Sequence, residues 1–235
     1  MSLQINSGDR VLIVAPHPDD ESIGCGGLML KYGSQCEILL LTDGRKGYDT
    51  RVSTDEDALV IQRAQELQSA AAIAGINRIH MLRIPDCTLA EHMELVSSFD
   101  FTPYQFVFVP NHYERHKDHA PVSKLVQSIC KRQSASAEIY EYEVWSPLPS
   151  YTDVLDLDGL MERKLDMVRQ YQSQLRFLDY ESMTEALNRY RGAGQKRKYA
   201  EVYANIPKVS AAKKMYHKKP APVRKGLRKI RGIVR

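Results

Sequence analysis

Val11-Leu12-Ile13-Val14-Ala15-Pro16-His17-Pro18-Asp19-Asp20-Glu21 is the stretch on which the reading of this chain turns. Five consecutive apolar residues, three of them β-branched, mark a strand buried on both faces, as in a parallel sheet. The run is too short for the core of a signal peptide or for a membrane span, so an intracellular protein is expected. Directly after it come a histidine and three acids within five residues. A buried strand delivering such a cluster to its carboxyl end is the arrangement that open α/β sheets use to hold ligands.

Working outward, residues 38–41, 79–84, 106–109 and 139–145 are further short apolar runs and read as strands. Between them, 26–32, 57–74, 89–99 and 119–131 have helical character. In 57–74, Leu59, Ala64, Leu67, Ala71 and Ala74 fall roughly on one face, and Gly75 is a natural stop. Strand and helix alternating from residue 10 to about 145 predict a mostly parallel sheet with helices on both faces, in the order 3-2-1-4-5. Beyond it, Leu157, Leu160, Met161, Leu165, Val168, Leu175 and Leu178 recur at helical spacing and predict one long amphipathic helix closing a side of the sheet. Residues 192–198 read as a loop.

The 235 residues suit one sizeable domain, with 26% charged and 43% hydrophobic residues as in ordinary globular proteins. The four cysteines are scattered without a CxxC pair, which predicts reduced, buried thiols rather than metal ligands. The net charge of +4 conceals an asymmetry. Residues 208–235 hold 11 of the 33 Lys and Arg and none of the 29 Asp and Glu, leaving 22 basic against 29 acidic side chains in the body. The expected organisation is therefore one folded domain over 1–207 and a basic, flexible tail over 208–235.

A second polar cluster, Asn111-His112-Tyr113-Glu114-Arg115-His116-Lys117-Asp118-His119, follows the fourth strand. In a 3-2-1-4-5 sheet the strand order reverses between the first and fourth strands, so both clusters face one crevice. His17 and Asp20 from the first, with His119 from the second, form a His₂–carboxylate set with a coordination position left for water, the pattern of a catalytic zinc. Zinc would acidify that water and polarise an amide carbonyl. Asp19, pointing away from its neighbour, is the candidate general base. His116 is the candidate to stabilise the oxyanion or protonate the leaving amine. Asp118 would orient a histidine. His112 and Arg115 are expected in the pocket wall, as substrate contacts. Read singly, HPDDE also fits a polar helix cap and the histidine cluster a solvated loop. The coincidence of both at adjacent strand ends favours one site. His80, His92 and His217 are isolated and read as surface or satisfied core residues. Gly24, Gly26 and Gly27 lack the GxGxxG spacing, and the acids ahead of them would repel a pyrophosphate, so close helix packing explains them better than a dinucleotide.

Ala15-Pro16-His17-Pro18-Asp19-Asp20-Glu21 together with His116-Lys117-Asp118-His119 resembles the PIG-L/LmbE-like family of zinc-dependent N-acetylglucosamine deacetylases. The flanks are similar too: Leu41-Thr42-Asp43-Gly44, Arg63-Ala64-Gln65-Glu66, Pro85-Asp86 and Tyr171-Gln172-Ser173-Gln174, a likeness spanning roughly residues 8–205. The resemblance implies a Rossmann-like three-layer α/β sandwich and an N-acetylglucosaminyl substrate. It implies His17, Asp20 and His119 as zinc ligands, Asp19 as base and His116 as oxyanion or acid partner. Arg63 and Glu66 would support the loops, and Arg45 or Arg51 would touch the sugar.

The leading expectation is thus removal of acetyl from an N-acetylglucosamine-type sugar or glycoconjugate in the cytoplasm. Fe²⁺, Co²⁺ or Mn²⁺ could use the same ligands. An amidase for a larger sugar-amide (thiol) conjugate is the alternative within the same chemistry. Outside it stands a non-catalytic protein that binds anionic surfaces through the tail. An anionic membrane or lipid-linked substrate suits that tail, with peripheral attachment to the inner membrane surface. Nucleic acid suits it poorly, since Tyr216 is its one aromatic residue.

Overall fold

Because successive side chains of a strand point to opposite faces, the apolar residues of β1 (Val11–Ala15) serve two cores at once. In the computed structural model, which describes residues 3–47 and 55–207, Val11, Ile13 and Ala15 join one hydrophobic cluster. Leu12 and Val14 join the other. The same alternation in β2 (Cys36–Thr42) sends Ile38 and Leu40 one way and Leu39 and Leu41 the other. The result is a three-layer α/β sandwich.

The first layer carries α1 (Asp20–Tyr32) and α2 (Glu56–Ile73), through Cys25, Leu28, Met29, Leu67, Ala70 and Ala71. The second carries α3 (Met93–Ser98) and α4 (Val122–Gln133), through Val96, Val122, Val126 and Ile129. Between them, β3 (Ile79–Ile84), β2, β1, β4 (Phe106–Pro110) and β5 (Glu138–Tyr142) run parallel in the expected order. The strand order reverses between β1 and β4, so the crevice opens beyond Ala15 and Pro110. Gly75 takes φ +75 just past α2, as a helix stop should.

The C-terminal third departs from expectation. Instead of one long helix over 157–178 there are β6 (Asp153–Asp156), α5 (Met161–Val168) and the single turn α6 (Gln172–Leu175). Gly159, at φ +82, lets the chain turn out of β6, and Tyr171 leaves the helical region at ψ 56 so that its hydroxyl reaches Glu21. Then follow α7 (Tyr180–Ala193) and β7 (Ala200–Ile206), which extend the sheet to seven strands, β3-β2-β1-β4-β5-β7-β6. β7 pairs antiparallel with both neighbours. It hides from a hydropathy reading because Glu201, its second residue, is a buried charge. That carboxylate accepts Lys164 Nζ at 2.7 Å and the N–H groups of Gly27 and Leu28 at 2.6 and 3.0 Å. A Cβ on Gly27 would meet Leu157 and Glu201, and one on Gly24 would meet Tyr142, which bears out close packing as the reason for these glycines.

Smaller corrections concern boundaries. α1 begins at Asp20 rather than 26, α4 at Val122 rather than 119, and β5 stops at Tyr142. Residues 89–99 split into a 3-10 turn, Leu89–Glu91, and α3. All four cysteines are free thiols, three buried and Cys87 half-buried. Among the described residues no helix is long and apolar enough to cross a membrane. The basic tail 208–235, with its membrane expectation, and Arg51 lie outside the described residues.

Candidate active site

β1 ends at Ala15, and the turn that follows Pro16 places His17 and Asp20 on the same side. The His17 N–H donates to Asp20 Oδ2 at 2.8 Å, closing that turn. Beyond β4 the 111–121 loop brings His119 against them. His17 Nδ1, Asp20 Oδ2 and His119 Nε2 form a triangle with sides of 3.4, 3.1 and 3.0 Å. Tetrahedral coordination with bonds of about 2.0–2.1 Å separates ligand atoms by about 3.3 Å. The three side chains therefore fit a divalent transition metal, and two imidazoles with one carboxylate suit zinc. His116 adds a further imidazole nearby, its ring centroid 4.7 Å from that of His17.

The His17 imidazole is aimed by two carboxylates behind it. His17 Nε2 lies 3.1 Å from Asp86 Oδ1 and 3.3 Å from Asp118 Oδ2. Asp118 is itself held by the N–H groups of Cys87 and Leu89, and Asp86 by that of Lys46. Among the described residues His119 Nδ1 has no hydrogen-bond partner, and it faces Glu114 Oε2, also without one, at 3.9 Å. Glu114 Oε1 accepts the N–H groups of Val144, Trp145 and Ser146 at 3.2, 3.0 and 3.0 Å. Carboxylates behind metal-binding imidazoles fix ring orientation and raise ligand basicity.

Asp19 stands beside the triangle with φ 132 and ψ −31, a conformation that non-glycine residues seldom adopt. Arg63 holds it there. Its Nη2 donates to Asp19 Oδ2 at 3.0 Å and to the Pro18 carbonyl at 2.6 Å, while Nη1 donates to the Gly44 carbonyl at 2.8 Å. Gly44, at φ +67, has no room for a side chain, since a Cβ would lie 2.5 Å from Arg63 Nη1. One helical turn on, Glu66 accepts the Ser173 N–H and hydroxyl at 2.9 and 2.6 Å. Gln174 in turn donates to the Gly47 carbonyl at 2.8 Å. Tyr171 and Ser22 donate to Glu21. The four flanking motifs thus converge on one set of loops.

Electrostatics separate the two neighbouring acids. Burial works against charge on Asp20, but His119 and His17 hold its carboxyl far below the usual range. Burial pushes Asp19 well up, and Arg63 only partly opposes it. Burial pushes His116 down, helped by His17 and His119, so its imidazole is neutral near pH 7. The Asp118 N–H donates to His116 Nδ1 at 3.3 Å, which leaves the ring proton on Nε2.

His17, Asp19, Asp20, His116 and His119 line one cavity of about 190 Å³. Arg63 reaches it, whereas Asp118 and Glu66 stand behind it. Arg45 is bound to Asp43 at 2.7 Å and lies off the cavity. His112, its Nδ1 2.8 Å from Glu141, and the exposed Arg115 are also outside it. Lys46, Trp145, Gln174 and Tyr180 line it without having been singled out as contacts from sequence, and Glu114 had no assigned role. Of these only Gln174 and Glu114 sat in a quoted motif.

Comparison with known proteins adds four likenesses. A family model described as GlcNAc-PI de-N-acetylase (PIG-L) matches residues 12–130. The diacetylchitobiose deacetylase of Thermococcus kodakarensis is 28% identical, over 87% of this chain and 85% of the relative. A 1D-myo-inositol 2-acetamido-2-deoxy-alpha-D-glucopyranoside deacetylase of Kineococcus radiotolerans is 38% identical over 34% of this chain and 24% of its own length. Among solved structures, the N,N'-diacetylchitobiose deacetylase of Pyrococcus horikoshii superposes with a TM-score of 0.74 at 24% identity, covering 86% of this chain and 85% of that one.

Proposed function

The chain belongs to the GlcNAc-PI de-N-acetylase (PIG-L) family, and from that premise we propose that it hydrolyses the acetamide of an N-acetylglucosamine-type sugar or glycoconjugate. Water adds at the amide carbon, the C–N bond breaks, and acetate and a free amine leave. The observation that carries this reading is the His17–Asp20–His119 triangle with Asp19 beside it in one cavity. The deacetylase relatives support the substrate class.

A zinc ion on those three side chains would polarise the amide carbonyl and lower the pKa of a water molecule. The chain's own groups do the rest. Asp19, made a better base by its burial, takes a proton from the attacking water, and Arg63 fixes the carboxylate in place. His116 presents Nε2–H to the oxygen that gains charge as the carbonyl becomes tetrahedral. The proton collected by Asp19 leaves on the departing amine. Asp86 and Asp118 keep the His17 imidazole aimed into the triangle, and the Glu114 carboxylate faces the imidazole of His119.

The reading is tested by acetate release from a panel of N-acetylated sugars, including N-acetylglucosamine and diacetylchitobiose, using metal-quantified protein. Release of acetate with matching free amine is expected. Metal-loaded protein that releases acetate from none of the panel would sink it.

A further inference from the structure

A second cavity, of about 290 Å³, lies beside the catalytic one, and nothing in the chemistry above uses it. Val144, Trp145 and Pro147, on the segment after β5, line it, as do Tyr180, Met183 and Leu187 of α7. Thr184 also faces it. That residue is 2% exposed, and its hydroxyl has no hydrogen-bond partner among the described residues. Trp145 and Tyr180 line both cavities, with their rings in edge contact at 5.5 Å, so they form the rim between the two.

The walls are set before anything binds. Glu143 pairs with Arg191 of α7, with Nε 3.2 Å from Oε2. Arg191 Nη2 donates to the Leu148 carbonyl at 2.8 Å, and the Leu148 N–H donates to Glu143 Oε1 at 2.6 Å. α7 and the segment after β5 are therefore tied to each other. Glu114, facing His119, holds the same segment through three backbone N–H groups. The apolar wall and the candidate metal ligands thus share one anchor.

The occupant follows from the order of burial. His119 and Asp20, where the carbonyl must meet its activating groups, are each 1% exposed, whereas Trp145 is 40% exposed. The acyl end of the amide therefore lies deep, and the sugar lies toward the mouth. An apolar space reached across the mouth's rim meets a substituent of the sugar rather than the acyl group. Two carbons adjoin the one that bears the acetamide, and of these the anomeric carbon carries the substituent that differs from one glycoside to the next, so the cavity is assigned to that substituent. At about 290 Å³ the cavity is at the small end of ligand pockets and takes one ring or a short chain. An unpartnered buried hydroxyl is costly, and an oxygen on that group would relieve Thr184.

We infer that this cavity binds an aryl or short alkyl aglycone, and that the substrate class of the proposed deacetylase is an apolar N-acetylglucosaminide. The inference rests on the deacetylase reading of the neighbouring site. The test compares methyl, phenyl and hexyl N-acetylglucosaminides, and N-hexanoylglucosamine, by acetate or hexanoate release from metal-quantified enzyme. Phenyl or hexyl glycoside is expected to exceed methyl glycoside in kcat/KM by about 10-fold or more, chiefly through KM. Ala186→Trp and Met183→Asp, both at exposed positions of α7, should erase that advantage and leave the methyl glycoside unchanged. Equal kcat/KM for methyl and phenyl glycosides overturns the inference. So does an advantage that survives both substitutions, or a preference that belongs to the hexanoyl amide instead. Release of acyl group from none of the four, with diacetylchitobiose still cleaved, overturns the inference alone; with diacetylchitobiose also inert the deacetylase reading falls, and the inference with it.

Discussion

Asp19 sits where a glycine would be more comfortable, at φ 132, because the Arg63 guanidinium and the start of α1 leave its carboxylate one place to go. Backbone strain at such a position persists only when surrounding contacts over-determine it. Asp19→Asn keeps the shape, loses the proton acceptor and leaves the His17–Asp20–His119 triangle intact. Turnover should fall by roughly 10²–10⁴-fold while metal content, read by elemental analysis, stays near stoichiometric. Near-normal acetate release from this variant would remove Asp19 from the role of base. His119→Ala is the complementary case, and the purified protein should come without stoichiometric metal. That both line one cavity was legible in the sequence, because each sits in a dense polar cluster directly after an apolar strand. Glu114 was not, although it lies in the same cluster. Its role depends on three N–H groups some thirty residues away and on the ring orientation of His119, neither of which spacing encodes.

At the scale of the element, α2 works as a brace. Arg63 and Glu66 lie on the face that also buries Leu59, Leu67 and Ala70, so two charges enter a nearly dry interface. Arg63 satisfies three acceptors from two loops, and Glu66 takes two donors from the segment that starts α6. Arg63→Met would keep the bulk and strand those acceptors, including the buried Asp19 carboxylate. Breaking a buried pair from one side costs about 3–5 kcal/mol. A lowered melting temperature should accompany loss of kcat, whereas Asp19→Asn, whose amide oxygen can still accept from Arg63 beside the Pro18 and Gly44 carbonyls, should lose kcat with a smaller fall in melting. An Arg63→Met protein as stable as wild type would show that the brace is not needed. Helical periodicity found α2 and its stop at Gly75, but the same argument joined 157–178 into one helix that does not exist. The apolar residues there do recur at helical spacing. Yet Leu157 belongs to the turn after β6, and Tyr171 is drawn out of line by Glu21. β7 escaped for a related reason, since Glu201 near its start is a buried ion-pair partner that reads as a surface charge.

Across the whole molecule the two ends of the sheet are built for different tasks. The carboxyl ends of β1 and β4 carry the candidate metal site, whereas the amino ends are tied by Glu37 at the start of β2. Its carboxylate accepts Arg10 at 2.7 Å, Tyr104 at 2.8 Å, Arg78 at 2.9 Å and His80 at 2.9 Å, reaching residues that lead into or lie on β1, β3 and β4. Burial works against its charge, but hydrogen bonds from His80, Arg10 and Tyr104 outweigh that and hold the carboxyl down at about 2, against an ordinary 4.5. Since the folded value is the lower, Glu37 stabilises the fold fully above pH 4.5, and that contribution is lost as pH falls toward 2. Arg10 and Arg78 are partly exposed, which screens the pairs, so the loss should be about 1–3 kcal/mol rather than the full value of the shift. Denaturant unfolding between pH 6 and pH 2.5 checks this, with Glu37→Gln as the comparison. The variant should be less stable by a similar amount at pH 6 and should converge on wild type toward pH 2.5. Because Glu37 lies at the opposite end of the strands from His17 and His119, metal content and neutral-pH turnover should not change. Parallel stability curves for the two proteins across that range would show that the amino-end network does not set the acid limit of the fold.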